Sequence, residues 1–330
     1  MIIDIHGHYT PPAQATAYQA SLVTSRGRPR EQARPPRLPD ELIAAQMRPH
    51  LDKLAAVGTD RQLISPRPYA MMHSVKPARV VRLWTTFVND VIARQVALSG
   101  GVFLGMAGLP QYRDGDIGPA VEELDRCVTE LGFVGCLLNP DPLEADDGPR
   151  PPGLGDEYWY PLYEKLTALD VPALVHSASS VDPREPYTLH FINEESIAVL
   201  DLIESSVFTE FPTLKIVVSH TGGAIPYHAG RFRAWRFRTP GAESFDQSLH
   251  RLYFDTCNYS KAALEHFFGV VRPENVLFGT ENPGTGSAID PATGRALDDL
   301  RPVIESIDRL TDKDRQLIFA ENARRLYRLG

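Results

Sequence analysis

Eight short runs of apolar, often β-branched residues recur along this chain, separated by longer stretches of helical periodicity. This alternation constrains the fold more than any other feature. The predicted strands are Ile2–His6, Arg61–Ser65, Val102–Ala107, Phe133–Leu138, Val171–His176, Lys215–Ser219, Leu252–Thr256 and Asn275–Phe278. Several are nearly continuous apolar runs, as expected of parallel strands buried on both faces. Helical patterns cover Pro39–Val57, Ala78–Leu98, Ile117–Leu131, Tyr158–Leu169, Glu194–Glu210 and Ala262–Val271. Gly58 and Gly132 stop two of them and Pro212 follows a third. A last helix starts at the capping residue Thr311, with Asp314 three positions on, and runs to Tyr327. Strands alternating with helices imply right-handed βαβ crossovers, and eight repeats close a barrel. The expected class is α/β, a distorted (β/α)8 TIM barrel, built as a single domain over residues 1–330.

Four stretches match no regular element: residues 9–38, 141–155, 177–187 and 282–294. All four follow the C-terminal ends of predicted strands, the face on which such barrels carry their active sites, so they are expected to form the mouth and its lid. The longest apolar runs are strand-sized, which argues against a membrane span. Met1 leads directly into a strand with no basic or long apolar leader, so a cytoplasmic location is expected. Three cysteines, Cys127, Cys136 and Cys257, form no paired framework and fit a reducing compartment. With 34 basic and 42 acidic residues the net charge is −8, which disfavours a nucleic-acid partner. An anionic small-molecule substrate remains compatible, because a few local arginines in a pocket suffice to hold one.

Chemistry gathers at the strand ends. Strand one finishes Asp4-Ile-His-Gly-His8, and side chains two apart on an extended segment point the same way, so His6 and His8 can serve one ion. Strand five ends at His176, strand six is followed by His220, and strand eight by Glu281. A closed barrel brings these distant positions onto one rim. Three imidazoles with one carboxylate suit zinc, with manganese or iron less well matched. Phe133–Leu138 contains no lysine to supply a bridging group, so one metal per chain is expected. For substrate carboxylates the planar donor fork of arginine is the natural partner. Arg67, Arg231 and Arg233 are the anchoring candidates, and Asn139, at the end of strand four, either donates a further hydrogen bond or caps its loop. His73 and His190 are placed on loops near the mouth and read as solvated, His228 lies inside a helix after strand six, and His50, His250 and His266 read as structural.

Asp4-Ile-His-Gly-His8, His176, Ser219-His-Thr-Gly-Gly223 and Leu277-Phe-Gly-Thr-Glu281 together resemble the amidohydrolase superfamily, in particular its aminocarboxymuconate-semialdehyde decarboxylase-like branch. The resemblance spans the chain. Members of that branch usually carry aspartate after strand eight, so Glu281 departs from it, whereas the branch's 4-oxalomesaconate hydratases have glutamate there. Ser65-Pro-Arg67, Leu131-Gly-Phe-Val-Gly135, Asn139-Pro-Asp-Pro142, Trp159-Tyr-Pro161, Gly222-Gly-Ala-Ile-Pro-Tyr-His228 and Phe254-Asp-Thr-Cys257 extend the similarity to those hydratases. Thr188–Glu195 departs from them, with His190 and Phe191 in place of expected tyrosines. The resemblance implies that His6, His8, His176 and Glu281 hold zinc, that His220 and Glu281 are catalytic, and that the protein is a homo-oligomer, a dimer or larger. The implied reaction is metal-dependent hydration of a C=C bond in 4-oxalomesaconate or a similar polycarboxylate from aromatic-acid catabolism. Non-oxidative decarboxylation of an aromatic or muconate-type acid is the alternative, with amide or lactone hydrolysis third. Which of His220 and Glu281 is acid and which base stays open.

Overall fold

Eight parallel strands pair in the order in which they occur: β1 (Ile3–His8), β2 (Arg61–Ser65), β3 (Phe103–Ala107), β4 (Gly135–Leu138), β5 (Ala173–Val175), β6 (Ile216–Val218), β7 (Tyr253–Asp255) and β8 (Val276–Leu277). The computed structural model describes residues 1–28, 34–112, 115–141, 152–178 and 184–330. The last strand returns to the first: Ile5 N donates to Phe278 O at 2.9 Å and Glu281 N to His6 O at 2.7 Å, with a parallel bridge between Gly7 and Asn282. The result is a nearly closed, distorted TIM barrel. The strand expectations hold to within two residues at each end.

Thirteen α-helical segments are found among the described residues. They are α1 (Ala13–Ser25), α2 (Asp40–Val57), α3 (Ala78–Leu98), α4 (Gly118–Thr129), α5 (Tyr160–Leu169), α6 (Tyr187–Glu204), α7 (Val207–Glu210), α8 (Ala229–Arg236), α9 (Phe245–Leu249), α10 (Lys261–Val270), α11 (Arg301–Glu305), α12 (Asp312–Gln316) and α13 (Asn322–Tyr327). None is long and apolar enough to cross a membrane. The Thr311 cap forms with Asp314 as its reciprocal partner, and a π turn over Leu317–Glu321 carries α12 into α13. Residues of this last segment, Ala320, Ala323, Leu326 and Tyr327, pack with the inward side chains Ile3, Ile5, Leu63, Met106, Leu137, Leu174, Val217 and Leu277. The barrel therefore has an apolar plug on which the rim rests. A larger apolar layer lies between the strands and the surrounding helices.

Two loop expectations are corrected. Within residues 9–38 lies α1, whose buried Ala15, Tyr18, Leu22 and Ser25 follow helical spacing but include small and polar residues that mask the pattern. The helix after β5 begins at Tyr187, seven residues before Glu194, which puts His190 on a helix and buries it. His73 is also buried rather than solvated. Most of the expected loop 141–155, residues 179–183 of the loop at 177–187, and residues 29–33 of the first loop lie outside the described residues.

One detail of β1 sets the rim. Asp4 pairs with Gln62 and Gly7 with Ile64, three steps on β1 against two on β2, so β1 holds one extra residue. Such a bulge reverses the inward and outward parity of the residues beyond it. Ile3 and Ile5 face the apolar interior, and past the bulge His6 and His8 face the centre above it. Gly7 is small because Gln62 lies behind it: a Cβ there would sit 2.3 Å from Gln62 Cδ. That amide donates to Asp4 Oδ2 (2.8 Å) and to Asn282 O (3.0 Å), and accepts from His50 Nε2 of α2 at 2.7 Å.

Burial pulls the pKa of His50 from 6.5 down to about 4, although its bond to Gln62 opposes the shift. In the unfolded chain the imidazole titrates near its ordinary value of about 6.5. Between these values the unfolded chain binds a proton that the folded chain does not, so stability falls as pH drops from ~6.5 to ~4, by on the order of 3 kcal/mol in full. His50→Gln, which keeps an amide donor for Gln62, is expected to flatten that decline in denaturant unfolding curves collected across the window.

Candidate metal centre and active site

Stepping two residues at a time along the inward face of five of the strands leads from the apolar interior to its polar rim. Leu174 leads to His176, Tyr253 to Asp255 and Cys257, Leu277 to Glu281, Leu63 to Ser65 and Arg67, and Leu137 to Asn139. Above the plug the rings of His6, His8, His176 and His220 cluster. His6 lies 5.4 Å from His8, 4.8 Å from His176 and 5.4 Å from His220 by ring centroids. One ligand atom from each of His6, His176, His220 and Glu281 falls within 4.8 Å of the others. His8 stands beside them, its ring 5.4 Å from that of His176.

Each imidazole is held from behind through Nδ1. His6 donates to Asp255 Oδ2 at 2.7 Å, His8 to Pro66 O at 3.1 Å, His176 to Ser177 O at 2.8 Å, and His220 to the Glu195 carboxylate at 2.8 and 2.9 Å. Anchoring one ring nitrogen in this way fixes the tautomer and aims the other, as the outer partners of metal ligands do. Nε2 of His6 and of His176 is buried and, among the described residues, has no hydrogen-bond partner. Two orphaned imidazole nitrogens facing a carboxylate are costly unless something binds them, and a divalent ion fits that donor set.

The charges are graded around the rim. Burial drives His8 and His176 well below the ordinary histidine pKa, so both are neutral, the state that ligates metal. For His220 burial also acts downward, but the buried Glu195 carboxylate overcomes it and raises the pKa well above the usual value. Burial likewise raises Glu195 itself. Glu281 runs the other way: burial pushes its carboxyl up, yet bonding and charge from His220, with His6 and His176, hold it well below the carboxylate range.

A cavity of about 390 Å³ opens beside His220 and Glu281, walled by Tyr187, Phe191, Ile192, Tyr227, Asn258 and Tyr259. His228 also lines it, from a 3-10 turn just before α8. Arg67, half-buried at the end of β2, acts electrostatically on His8, Tyr9 and Tyr187. The other arginine candidates are not brought to the rim. Arg233 is paired bidentately with Asp246 at 2.7 to 3.0 Å, and Arg231 is exposed on α8; neither lines the cavity. Asn139 is buried and fully engaged: its Nδ2 donates to His73 Nδ1, its Oδ1 accepts from Asp141 N, and its own N donates to Gln111. It caps the loop after β4.

Three residues at the site carry little or no signal in the sequence. Asp255 lies in the Phe254–Cys257 stretch, two positions past the inward Tyr253, and its other oxygen accepts from Thr221 N and Cys257 N at 3.0 Å. Glu195 sits in register with Phe191, Ala198, Val199 and Leu202 on the buried face of α6, where a lone carboxylate on an apolar stripe is its only mark. Tyr259 donates to Glu281 Oε2 at 2.6 Å and has no pattern of its own.

The chain resembles known proteins over nearly its whole length. The chain is 37% identical over 335 residues to the 2-keto-4-carboxy-3-hexenedioate hydratase of Sphingobium sp. strain SYK-6, covering 99% of this chain and 96% of that protein. The crystal structure of 4-oxalomesaconate hydratase from Rhodopseudomonas palustris superposes with a TM-score of 0.88 at 33% identity, covering 100% of this chain and 96% of that one. A dihydroxybenzoic acid decarboxylase from Polaromonas sp. JS666, solved with bound manganese and an inhibitor, shares the fold with a TM-score of 0.76 at 22% identity, over 99% of this chain and 97% of its own. A family model described as amidohydrolase matches residues 3–329. A match of that extent makes the chain a member of the amidohydrolase family.

Proposed function

We propose that this protein is a metal-dependent hydro-lyase that adds water across a C=C bond of 4-oxalomesaconate or a closely similar polycarboxylate of aromatic-acid catabolism. The observation that carries this reading is similarity to two hydratases over nearly the whole chain, in sequence and in structure. His6, His8, His176 and Glu281 would hold the ion. The neutral state of His8 and His176 supports their role as ligands, and the nitrogen-rich donor set favours zinc, with manganese, found in a related decarboxylase, as the competitor. A divalent ion bound there supplies Lewis acidity that makes water nucleophilic near neutral pH.

The remaining work falls to the chain's own side chains. His220, kept protonated by Glu195, is a poor ligand and a good acid, and its Nε2 is the atom from which a proton leaves for the substrate. Glu281 stays ionised, with Oε1 3.6 Å from His220 Nε2, and its carboxylate is the base that takes the proton from the attacking water. The hydroxyl joins one carbon of the double bond and the proton its neighbour, so one water is consumed and no cofactor is changed. Arg67 supplies the cation for a substrate carboxylate at the mouth, where Tyr187 stands within its electrostatic reach.

Consumption of 4-oxalomesaconate followed by ultraviolet absorbance, together with elemental analysis, tests the reading. Turnover without carbon dioxide release is expected; failure with metal fully bound, or release of carbon dioxide from an aromatic or muconate-type acid, would move the assignment to decarboxylation. Stripping the metal with a chelator should abolish turnover, and adding Zn2+ or Mn2+ should restore it. His220→Ala is expected to retain metal while kcat falls about 10²–10⁴-fold. Asp255→Asn should instead weaken metal binding by about 10–100-fold, because it removes the acceptor that orients His6.

A further inference from the structure

The two oxygens of Glu281 have different surroundings. Oε1 lies 3.6 Å from His220 Nε2 and 4.0 Å from His176 Nε2. Oε2 accepts the Tyr259 hydroxyl at 2.6 Å, with Cys257 Sγ at 4.0 Å. An ionised carboxylate only accepts, so the single proton of Tyr259 is committed to Oε2. The thiol of Cys257, 3.3 Å from the Tyr259 oxygen, is then the donor in that contact.

The turn after Glu281 is shaped around this pair. A Cβ on Gly284 would lie 2.3 Å from Glu281 O and 2.9 Å from its Cδ, and one on Gly286 would lie 2.4 Å from two ring carbons of Tyr259. The turn is also fastened from outside the site. Lys53 of α2 donates to both oxygens of Asp298 at 2.9 and 3.0 Å and to Ser287 Oγ at 3.2 Å. Ser287 Oγ in turn donates to Asp298 Oδ2 at 2.7 Å, and Asp298 N donates to Gly286 O at 2.8 Å.

We propose that Tyr259 is a positioning residue for the metal centre: by occupying Oε2 it leaves Glu281 one oxygen, Oε1, to offer the ion, and Gly284 and Gly286 are small so that this pair can form. A carboxylate restricted to one oxygen takes one coordination position where a bidentate one takes two, and leaves the other open to water or substrate, as a catalytic metal site requires. The inference rests on Glu281 being a ligand and is independent of which substrate the enzyme takes.

The test is metal affinity of the full-length protein, stripped of metal and titrated with Zn2+ against a chromophoric chelator. Tyr259→Phe keeps the ring against Gly286 and removes only the hydroxyl; it is expected to weaken Zn2+ binding about 10–100-fold while leaving the melting temperature of the metal-free protein unchanged. Glu281→Gln should weaken binding at least as much. Adding Tyr259→Phe to Glu281→Gln should then change affinity by less than about twofold, since coupled residues do not add. Gly286→Ala, which retains the hydroxyl but displaces the ring, should shift affinity in the same direction, and it carries the same comparison if Tyr259→Phe does not fold. Wild-type affinity in Tyr259→Phe, or full additivity in the Glu281→Gln background, overturns the role of Tyr259 alone. Unchanged affinity in Glu281→Gln overturns the ligand assignment and the inference with it.

Discussion

Closure of the barrel between its last strand and its first is the constraint on which the site depends. Glu281 N donates to His6 O at 2.7 Å, so the carboxylate that comes after β8 is fixed to the backbone of a residue 275 positions earlier. Asp4 reinforces the seam by accepting from Thr280 N at 3.1 Å and from its hydroxyl at 2.6 Å, and from Gln62 of β2 at 2.8 Å. These bonds lie in a fully buried layer, where an unmade one would cost the whole desolvation penalty of its group. Burial still pushes the Asp4 carboxyl up to about 6, against the pull of Thr280 and Gln62, which measures how dry the seam is.

The four rim imidazoles divide by what stands behind them. His6 and His220 back onto buried carboxylates, Asp255 and Glu195, whereas His8 and His176 donate to backbone carbonyls. A carboxylate behind an imidazole strengthens its donor nitrogen or holds a proton on it; a neutral carbonyl only fixes its tautomer. The two carboxylates enter from opposite directions, Asp255 from β7 inside the barrel and Glu195 from α6 outside it. The helix thus contributes a carboxylate to the rim as well as apolar side chains to the packing.

Much of this architecture is legible in the sequence because it is written with short periods. Strand runs, the His6 and His8 pair, His176, His220 and Glu281 all emerge from alternation and from where an apolar run ends. The illegible parts depend on partners far away in the chain. Arg233 and Arg231 carry the right charge for a carboxylate, but nothing local reveals that Asp246 claims one of them and that the face of α8 turns the other to solvent. Glu195 and Asp255 resemble ordinary acids until the helix start at Tyr187 and the inward register of Tyr253 are known. The first helix, α1, is hidden because its buried stripe includes Ala15 and Ser25, which weaken the apolar signal.

His220 shows why regular alternation alone could not build the site. It is out of phase with the inward Val217 and Ser219, and an extended chain would turn it away from the other rings. The backbone instead adopts left-handed conformations at His220 (φ 50°) and Thr221 (φ 58°), and Glu281 does the same at φ 61°. For a β-branched residue such as Thr221 this is a true outlier, and each such residue costs on the order of 1–3 kcal/mol. The strain persists because bonds on every side determine these positions. Asp255 Oδ1 accepts from Thr221 N, Glu195 grips the His220 ring, and His6 O holds Glu281 N. Asp255 thereby orients His6 with one oxygen and secures the strained turn beside His220 with the other, coupling the two rings through a single buried carboxylate.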